Sequence, residues 1–202
     1  MKFVIATRNA HKLEEIRAIF DTPSTMLSTG ESLDVLSALD FPNVPDTIED
    51  RDTLEGNAIK KAQELCDATG LMTLADDSGL EVEAMDGAPG VYSARYAGEP
   101  CDYENNNAKL LRELAGQNNR RARFRTVMAL ARPGEEPLTV EGKCEGTIID
   151  ELRGEHGFGY DPLFVPDGFD QTFAELPAET KNKISHRARA LAAFSNLWMS
   201  IA

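Results

Sequence analysis

The sequence predicts an α/β protein built on a mixed β-sheet with a second lobe, and three observations carry that reading. Short apolar runs alternate with helical periodicity in the first half, as Phe3 to Ala6 followed by Leu13, Ile16, Ile19 and Phe20 illustrates. A long alternating run with Ala122, Phe124, Thr126, Met128 and Leu130 on one side then passes through the turn PGEEP into Leu138 to Ile149. That hairpin pattern breaks the simple βαβ rhythm of a doubly wound domain. Finally, 202 residues are enough to bury a substantial core without staples.

Taken in order, the first strand feeds the polar stretch TRNAHK, Thr7 to Lys12, which opens the first helix. A helix start leaves backbone N–H groups and the positive end of the dipole facing outward, and a lysine added there makes an anion seat. The glycines of a Walker loop are missing, so an ordinary capped helix start is the alternative. From Asp21 to Asp46 the chain is loop-rich, with three prolines and a short helix expected around Ser32 to Leu39. Glu49, Asp50 and Asp52 precede Thr53, the expected N-cap of a helix that buries Leu54, Ala58, Ala62 and Leu65 and closes at Gly70. Acidic residues suit a helix dipole, and they also suit a metal. Lys60 and Lys61 lie within this helix, and position alone gives neither a substrate role.

Leu71 to Ala75 and Leu80 to Ala84 read as two strands flanking Asp76, Asp77, Ser78 and Gly79. This is either a solvated turn, since Asp, Ser and Gly are turn residues, or paired negative charge placed at a sheet edge or cleft. Asp86 to Gly90 forms a turn, and Asp102 caps a helix that buries Ala108, Leu110, Leu111 and Leu114 and ends at Gly116. Asn105, Asn106 and Asn107 are expected in its exposed first turns. Gly154 to Phe164, GEHGFGYDPLF, alternates glycines with aromatics, and Phe158 and Tyr160 offer flat faces for a planar ring; a packed core turn is the alternative. Lys181 to Arg189, KNKISHRAR, leads into the last helix, which Ser185 could cap. His186 and Arg187 in its first turn oppose the dipole, which points to an anionic or oxygen-rich ligand nearby.

Composition narrows the partners. A net charge of −13 argues against general binding to nucleic acid, whose affinity rests on Lys and Arg. Basic residues are nevertheless concentrated at Arg120, Arg121, Arg123 and Arg125, read as a solvated face, and again at Lys181, Lys183, Arg187 and Arg189. Cys66, Cys101 and Cys144 show no metal or disulfide spacing, and no run approaches the length of a spanning helix. A soluble, cytoplasmic protein without membrane contact is expected. His11, His156 and His186 lack metal-ligand spacing, and no GxSxG elbow is present. Carboxylates beside a phosphate seat suit Mg2+, and an aromatic platform makes the ligand a nucleotide.

Five stretches, TRNAHK, LEGNAIKKA, LADDSGLEVEAMDGAPGVYSARYAGE, GFGYDPLF and KNKISHRARAL, together resemble the successive signatures of the inosine triphosphate pyrophosphatase family, in order and across nearly the whole chain. The resemblance implies a long mixed twisted sheet flanked by helices, with two lobes and the active site in the cleft between them. It also implies a homodimer that uses Mg2+ to hydrolyse dITP, ITP and XTP to the monophosphate and pyrophosphate. By the same resemblance, Thr7, Arg8, Asn9, Ala10, His11 and Lys12 hold the triphosphate, with Thr7, Asn9 and Lys12 matching directly and Arg8 replacing a common glycine. Glu49 and Asp77 match the metal ligands, although Asp50-Arg51 stands where Thr-Gly is usual. Asp77 is also the general base, and Ser78 contacts substrate. Phe158, Gly159, Tyr160 and Asp161 form the base-binding loop, and Lys181, His186 and Arg187 recognise the purine. The residues alone do not distinguish Asp76 from Asp77; only the resemblance does.

Two other readings start from the same residues. A phosphatase with Asp76 as nucleophile needs a DxDx[TV] arrangement, and the run here is Asp-Asp-Ser-Gly. A nucleotide-binding regulator without catalysis would have no use for the paired carboxylates and lysines.

Overall fold

A computed structural model describes residues 2–20 and 34–201. The elements run β1 (Lys2–Ile5), α1 (Ala10–Phe20), β2 (Asp34–Ser37), α2 (Leu54–Thr69), β3 (Met72–Val82), α3 (Tyr103–Glu113), β4 (Arg121–Ala131), β5 (Leu138–Ile148), β6 (Phe164–Pro166), α4 (Ala178–Ile184) and α5 (His186–Ile201), with short 3-10 turns between. The strands form one sheet in the order β2-β1-β3-β4-β5-β6. It is mixed, because β1 pairs in parallel with β2 and β3 while β5 and β6 are antiparallel. The α/β class and mixed sheet match the sequence expectation.

Local chemistry accounts for several boundaries. Thr53 caps α2 by accepting the Gly56 N–H at 3.0 Å, and Gly70 ends it in the left-handed region at φ 67°. Asp102 caps α3 by accepting the Asn105 N–H at 3.0 Å.

Other boundaries correct the sequence reading. Instead of a helix around Ser32 to Leu39, the chain forms β2 and a 3-10 turn, Ala38–Asp40, with positions 32 and 33 outside the described residues. Parallel pairing of Lys2 with Asp34 through Ile5 with Ser37 supplies the deciding hydrogen bonds, and no local pattern announces it. The two strands expected on either side of Asp76 to Gly79 are one strand, β3, and the carboxylates lie buried within it. Gly79 belongs there because a Cβ would overlap the Gly90 carbonyl. Asn106 and Asn107 are buried rather than exposed, whereas Ala108 is exposed. Lys181 to Ile184 is helical in its own right, and Ser185 is extended between α4 and α5.

The chain divides into two compact units, the first comprising Met1–Asp77, Thr126–Gly142 and Arg187–Ala202, the second Ser78–Arg125 and Lys143–His186. In the first, Phe3, Ile5, Leu74, Met128 and Leu130 pack with Leu13 and Ile16 of α1 and Leu191, Phe194 and Trp198 of α5. Leu191, Phe194 and Trp198 recur at helical spacing, so this side of α5 is its core face. In the second, Leu80, Val82, Phe124, Phe164, Phe173 and Leu110 form a separate core. The arginines at the start of β4 and just before it are tied down within this unit: Arg121 grips Asp167 at 2.6 and 2.9 Å, Arg123 pairs with Glu81 at 2.6 Å, and Arg120 donates to the Ile148, Ile149 and Leu114 carbonyls.

Candidate active site

In the first unit, β1 ends at Ile5 while its parallel neighbour β3 runs on, so β3 residues beyond Leu74 stand beside the loop that follows β1. The carboxyl ends of parallel strands are where open α/β sheets bind ligands. Thr7 is buried and accepts the Asn9 N–H at 3.2 Å, and Asn9 Oδ1 caps α1 by accepting the Lys12 N–H at 3.2 Å. These contacts shape the loop from within. Lys12 reaches Asp76 Oδ2 at 3.0 Å. Arg8 turns to Asp46 at 2.6 Å and the Val44 carbonyl at 2.5 Å, while Ala10 and His11 are exposed.

Asp76 and Asp77 are adjacent in β3 and alternate in direction, so each meets a different set of charges. Asp76 is 3% exposed and accepts Lys12 at 3.0 Å and Arg187 at 3.5 Å. Burial alone would raise its carboxyl, but Lys12, Arg187 and Lys61 outweigh it and hold the group well below the ordinary carboxylate range. Arg187, itself buried, also pairs with Glu15 of α1. Asp77 instead accepts Lys61 at 2.9 Å and Asn57 at 3.3 Å, both from α2. Burial is the largest influence on Asp77 and, with the nearby Glu49, raises its carboxyl above the ordinary value despite Lys61 and Lys12. Lys61 also binds Glu49 at 2.8 Å. Burial would lower Lys61, yet Asp77, Glu49 and Asp76 together raise it.

The second unit holds a different kind of cluster. Asp161 Oδ2 accepts Lys181 Nζ at 2.6 Å and the Phe158 N–H at 2.9 Å, with both charged side chains buried. Gly157 sits at φ 77°, and a Cβ there would overlap Asp161 Oδ2, so glycine is required for the carboxylate to reach the loop backbone. Lys181 Nζ lies 5.3 Å from the centroid of the half-buried Phe158 ring. Tyr160, expected as a flat face, is instead buried in the core of this unit, where its hydroxyl donates to the Ser93 carbonyl at 2.8 Å. His186 is buried and stacks on Phe124 at 4.7 Å and 15°. Ser78, the next residue along β3, is half-buried, and the Gly159 carbonyl accepts Asn107 at 2.9 Å.

The structure thus gathers Lys12, Glu49, Asp77 and Arg187 into a charged cluster with Asp76, and Phe158, Asp161 and Lys181 into a ring-and-charge cluster. Sequence reasoning named Lys61 without giving it a role, and it missed Asn57 and Glu15. Only a helix-face count from Leu54, Ala58 and Ala62 could have raised Asn57 and Lys61, which fall on the flank of that buried stripe.

Oxygen donors from Glu49 and Asp77 fit a hard cation such as Mg2+, which takes one or two carboxylates plus phosphate and water. Among the described residues no group of three or more His, Cys, Asp or Glu forms an all-protein metal cage.

The chain resembles known proteins over nearly its whole length. A model of the Ham1 family matches residues 3–197. The dITP/XTP pyrophosphatases of Desulforamulus reducens and Geobacter sulfurreducens are each 51% identical over 193 residues, covering 95% of this chain and 92% and 93% of theirs. The Staphylococcus aureus Ham1 protein matches with a TM-score of 0.87 at 37% identity, covering 100% of both chains. The nucleoside-triphosphatase / dITP/XTP pyrophosphatase of Mycobacterium abscessus matches at 0.76 and 40% identity, covering 96% of this chain and 98% of its own. The resemblance read from the five motifs therefore holds along the chain, which belongs to the Ham1 family.

Proposed function

We propose that this protein is a hydrolase that converts purine nucleoside triphosphates with non-standard bases, dITP, ITP and XTP, to the monophosphate and pyrophosphate, and so removes them from the nucleotide pool. Relatives at 51% identity carry the name dITP/XTP pyrophosphatase. The observation that carries the reading is the unlike pair in β3, with Asp76 tied to Lys12 and Arg187, and Asp77 raised by burial beside Lys61 and Glu49.

A carboxylate whose proton affinity is raised is a better base near neutral pH. Asp77 takes a proton from water as the water oxygen bonds to the α-phosphorus. The bridging α–β P–O bond breaks, and pyrophosphate leaves toward Lys12 and the start of α1. Asp76 is the positioning anion that keeps Lys12 and Arg187 aimed. Glu49 and Asp77 would hold Mg2+, which when bound neutralises phosphate charge and polarises the α-phosphoryl oxygen.

For the base, the Lys181 ammonium and the backbone N–H groups of the loop are donors suited to the 6-oxo group of hypoxanthine or xanthine. ATP would present a 6-amino donor to them, and a site built to hydrogen-bond one group rejects an analogue that leaves buried polar groups unpaired. Phe158 supplies the ring face, beside Lys181 and Asp161.

A homodimer and a cytoplasmic location complete the proposal. The homodimer rests on the family resemblance, and sedimentation velocity measures it directly. The location fits three free cysteines and the lack, among the described residues, of a helix long and apolar enough to cross a membrane.

The deciding assay offers a panel of nucleoside triphosphates with Mg2+ and scores pyrophosphate against orthophosphate. Pyrophosphate from ITP, dITP and XTP with little from ATP is expected; orthophosphate as the product, or equal turnover of ATP, would overturn the reading.

A further inference from the structure

The loop that carries Phe158 is fastened from outside itself by a side chain that the proposed reaction does not use. Asn107 lies on α3, is 5% exposed, and donates from Nδ2 to the Gly159 carbonyl at 2.9 Å. Four residues earlier on the same helix face, Tyr103 meets the Phe158 ring at a centroid distance of 6.1 Å. The preceding residue anchors the helix in turn: Asn106 accepts the Ala97 N–H at 2.7 Å and donates to the Ala94 carbonyl at 3.0 Å.

On stability grounds asparagine is a poor choice at position 107. It is a weak helix former, and its Oδ1 is buried with no donor reaching it among the described residues. An apolar side chain of similar size would remove both penalties. The bond to Gly159 is what the asparagine supplies and leucine cannot.

The geometry points to Asn107 as a positioning residue for base recognition: it ties the backbone at Gly159 to α3 and so fixes where Phe158 and Asp161, the partner of Lys181, stand. This rests on the purine reading above. Asn107 touches no reacting atom, so its removal acts on base binding rather than on the chemical step.

The test measures kcat and KM for ITP and ATP in Asn107→Leu and Asn107→Asp, together with amide hydrogen exchange of the ligand-free proteins. Loss of the single hydrogen bond raises KM for ITP about tenfold while kcat stays within about threefold. The ITP-to-ATP ratio of kcat/KM falls by a similar factor, and faster exchange is confined to residues 157–161. Asn107→Asp keeps the size and the Oδ1 but loses the donor, so it carries the test if the leucine variant fails to fold. An unchanged ITP-to-ATP ratio, exchange that spreads along α3 instead of the loop, or failure of both variants to fold overturns the inference. A wild-type protein that releases no pyrophosphate from ITP overturns the functional reading instead, while the exchange pattern still decides whether Asn107 holds the loop.

Discussion

In the first unit the functional side chains hold one another through charge: Lys12 and Arg187 share Asp76, Lys61 bridges Asp77 and Glu49, and Arg187 also grips Glu15. In the second unit the functional loop is held largely through its own backbone, with the Phe158 N–H on Asp161, the Gly159 carbonyl on Asn107, and glycine at 157 making room for the carboxylate. A polyphosphate carries several charges and needs mobile counter-charges that can be handed to it. A base carries a fixed pattern of donors and acceptors and needs a fixed frame. Substitutions in the first region should therefore fall on turnover, and those in the second on binding and choice of base.

The largest effect expected is that of Asp77→Asn. It keeps the shape and the contact with Asn57 but removes the base, so kcat for ITP falls roughly a thousandfold while nucleotide affinity by calorimetry is retained. Near-wild-type pyrophosphate release from this variant would remove Asp77 from the chemistry. Next in size, Gly157→Ala forces Asp161 away from the loop, since the new Cβ overlaps Oδ2 and the φ of 77° is strained for alanine. KM for ITP should rise by about tenfold or more with a smaller change in kcat. A fall in kcat alone would blur the division between the two regions.

Much of the fold was legible in the sequence because its signals were local. Thr53 and Asp102 cap the helices expected of them, and Gly70 ends α2. What was hidden depended on partners far away in the chain. The run Asp76-Asp77-Ser78-Gly79 looks like a turn unless Lys12, Lys61 and Arg187 are known to meet it, and with those partners it is the middle of a buried strand. β2 is a strand because β1 lies beside it. Asn106 and Asn107 looked like exposed polar residues because their acceptors, the Ala94 and Gly159 carbonyls, lie 12 and 52 residues away. The site was legible as five motifs but not as contacts, so Asn57 and Glu15 did not emerge and Lys61 had no role.

The two carboxylates of β3 should also separate by pH. In the metal-free protein Asp77 is raised above its ordinary 3.8, and bound Mg2+ would work against that rise, so kcat falls as pH drops through the value the carboxyl takes with the metal bound and levels off above it. In the metal-free protein its ionisation weakens the fold as pH rises through the raised value. Asp76 works in the opposite sense: held low, it stabilises the fold above its unfolded value near 3.8, and this contribution is lost as pH falls toward the depressed folded value. Thermal melts of Asp76→Asn should therefore show less acid sensitivity than wild type, with no shift in the acid limb of kcat that survives. An acid limb that follows Asp76 instead would reverse the two roles.

The smallest effect belongs to a pair outside both clusters. Arg121 and Asp167 are half-exposed, so Arg121→Ala should change stability by at most about 0.5 kcal/mol and leave kcat and KM for ITP unaltered. A change in either constant would mean that the second region extends along β4.

Hydrolysis of ITP in 18O-labelled water distinguishes attack of water on the α-phosphorus from attack on the β-phosphorus. The label is expected in the inosine monophosphate and absent from the pyrophosphate. Label in pyrophosphate, with unlabelled monophosphate, would place the attack on the β-phosphorus and contradict the role given to Asp77.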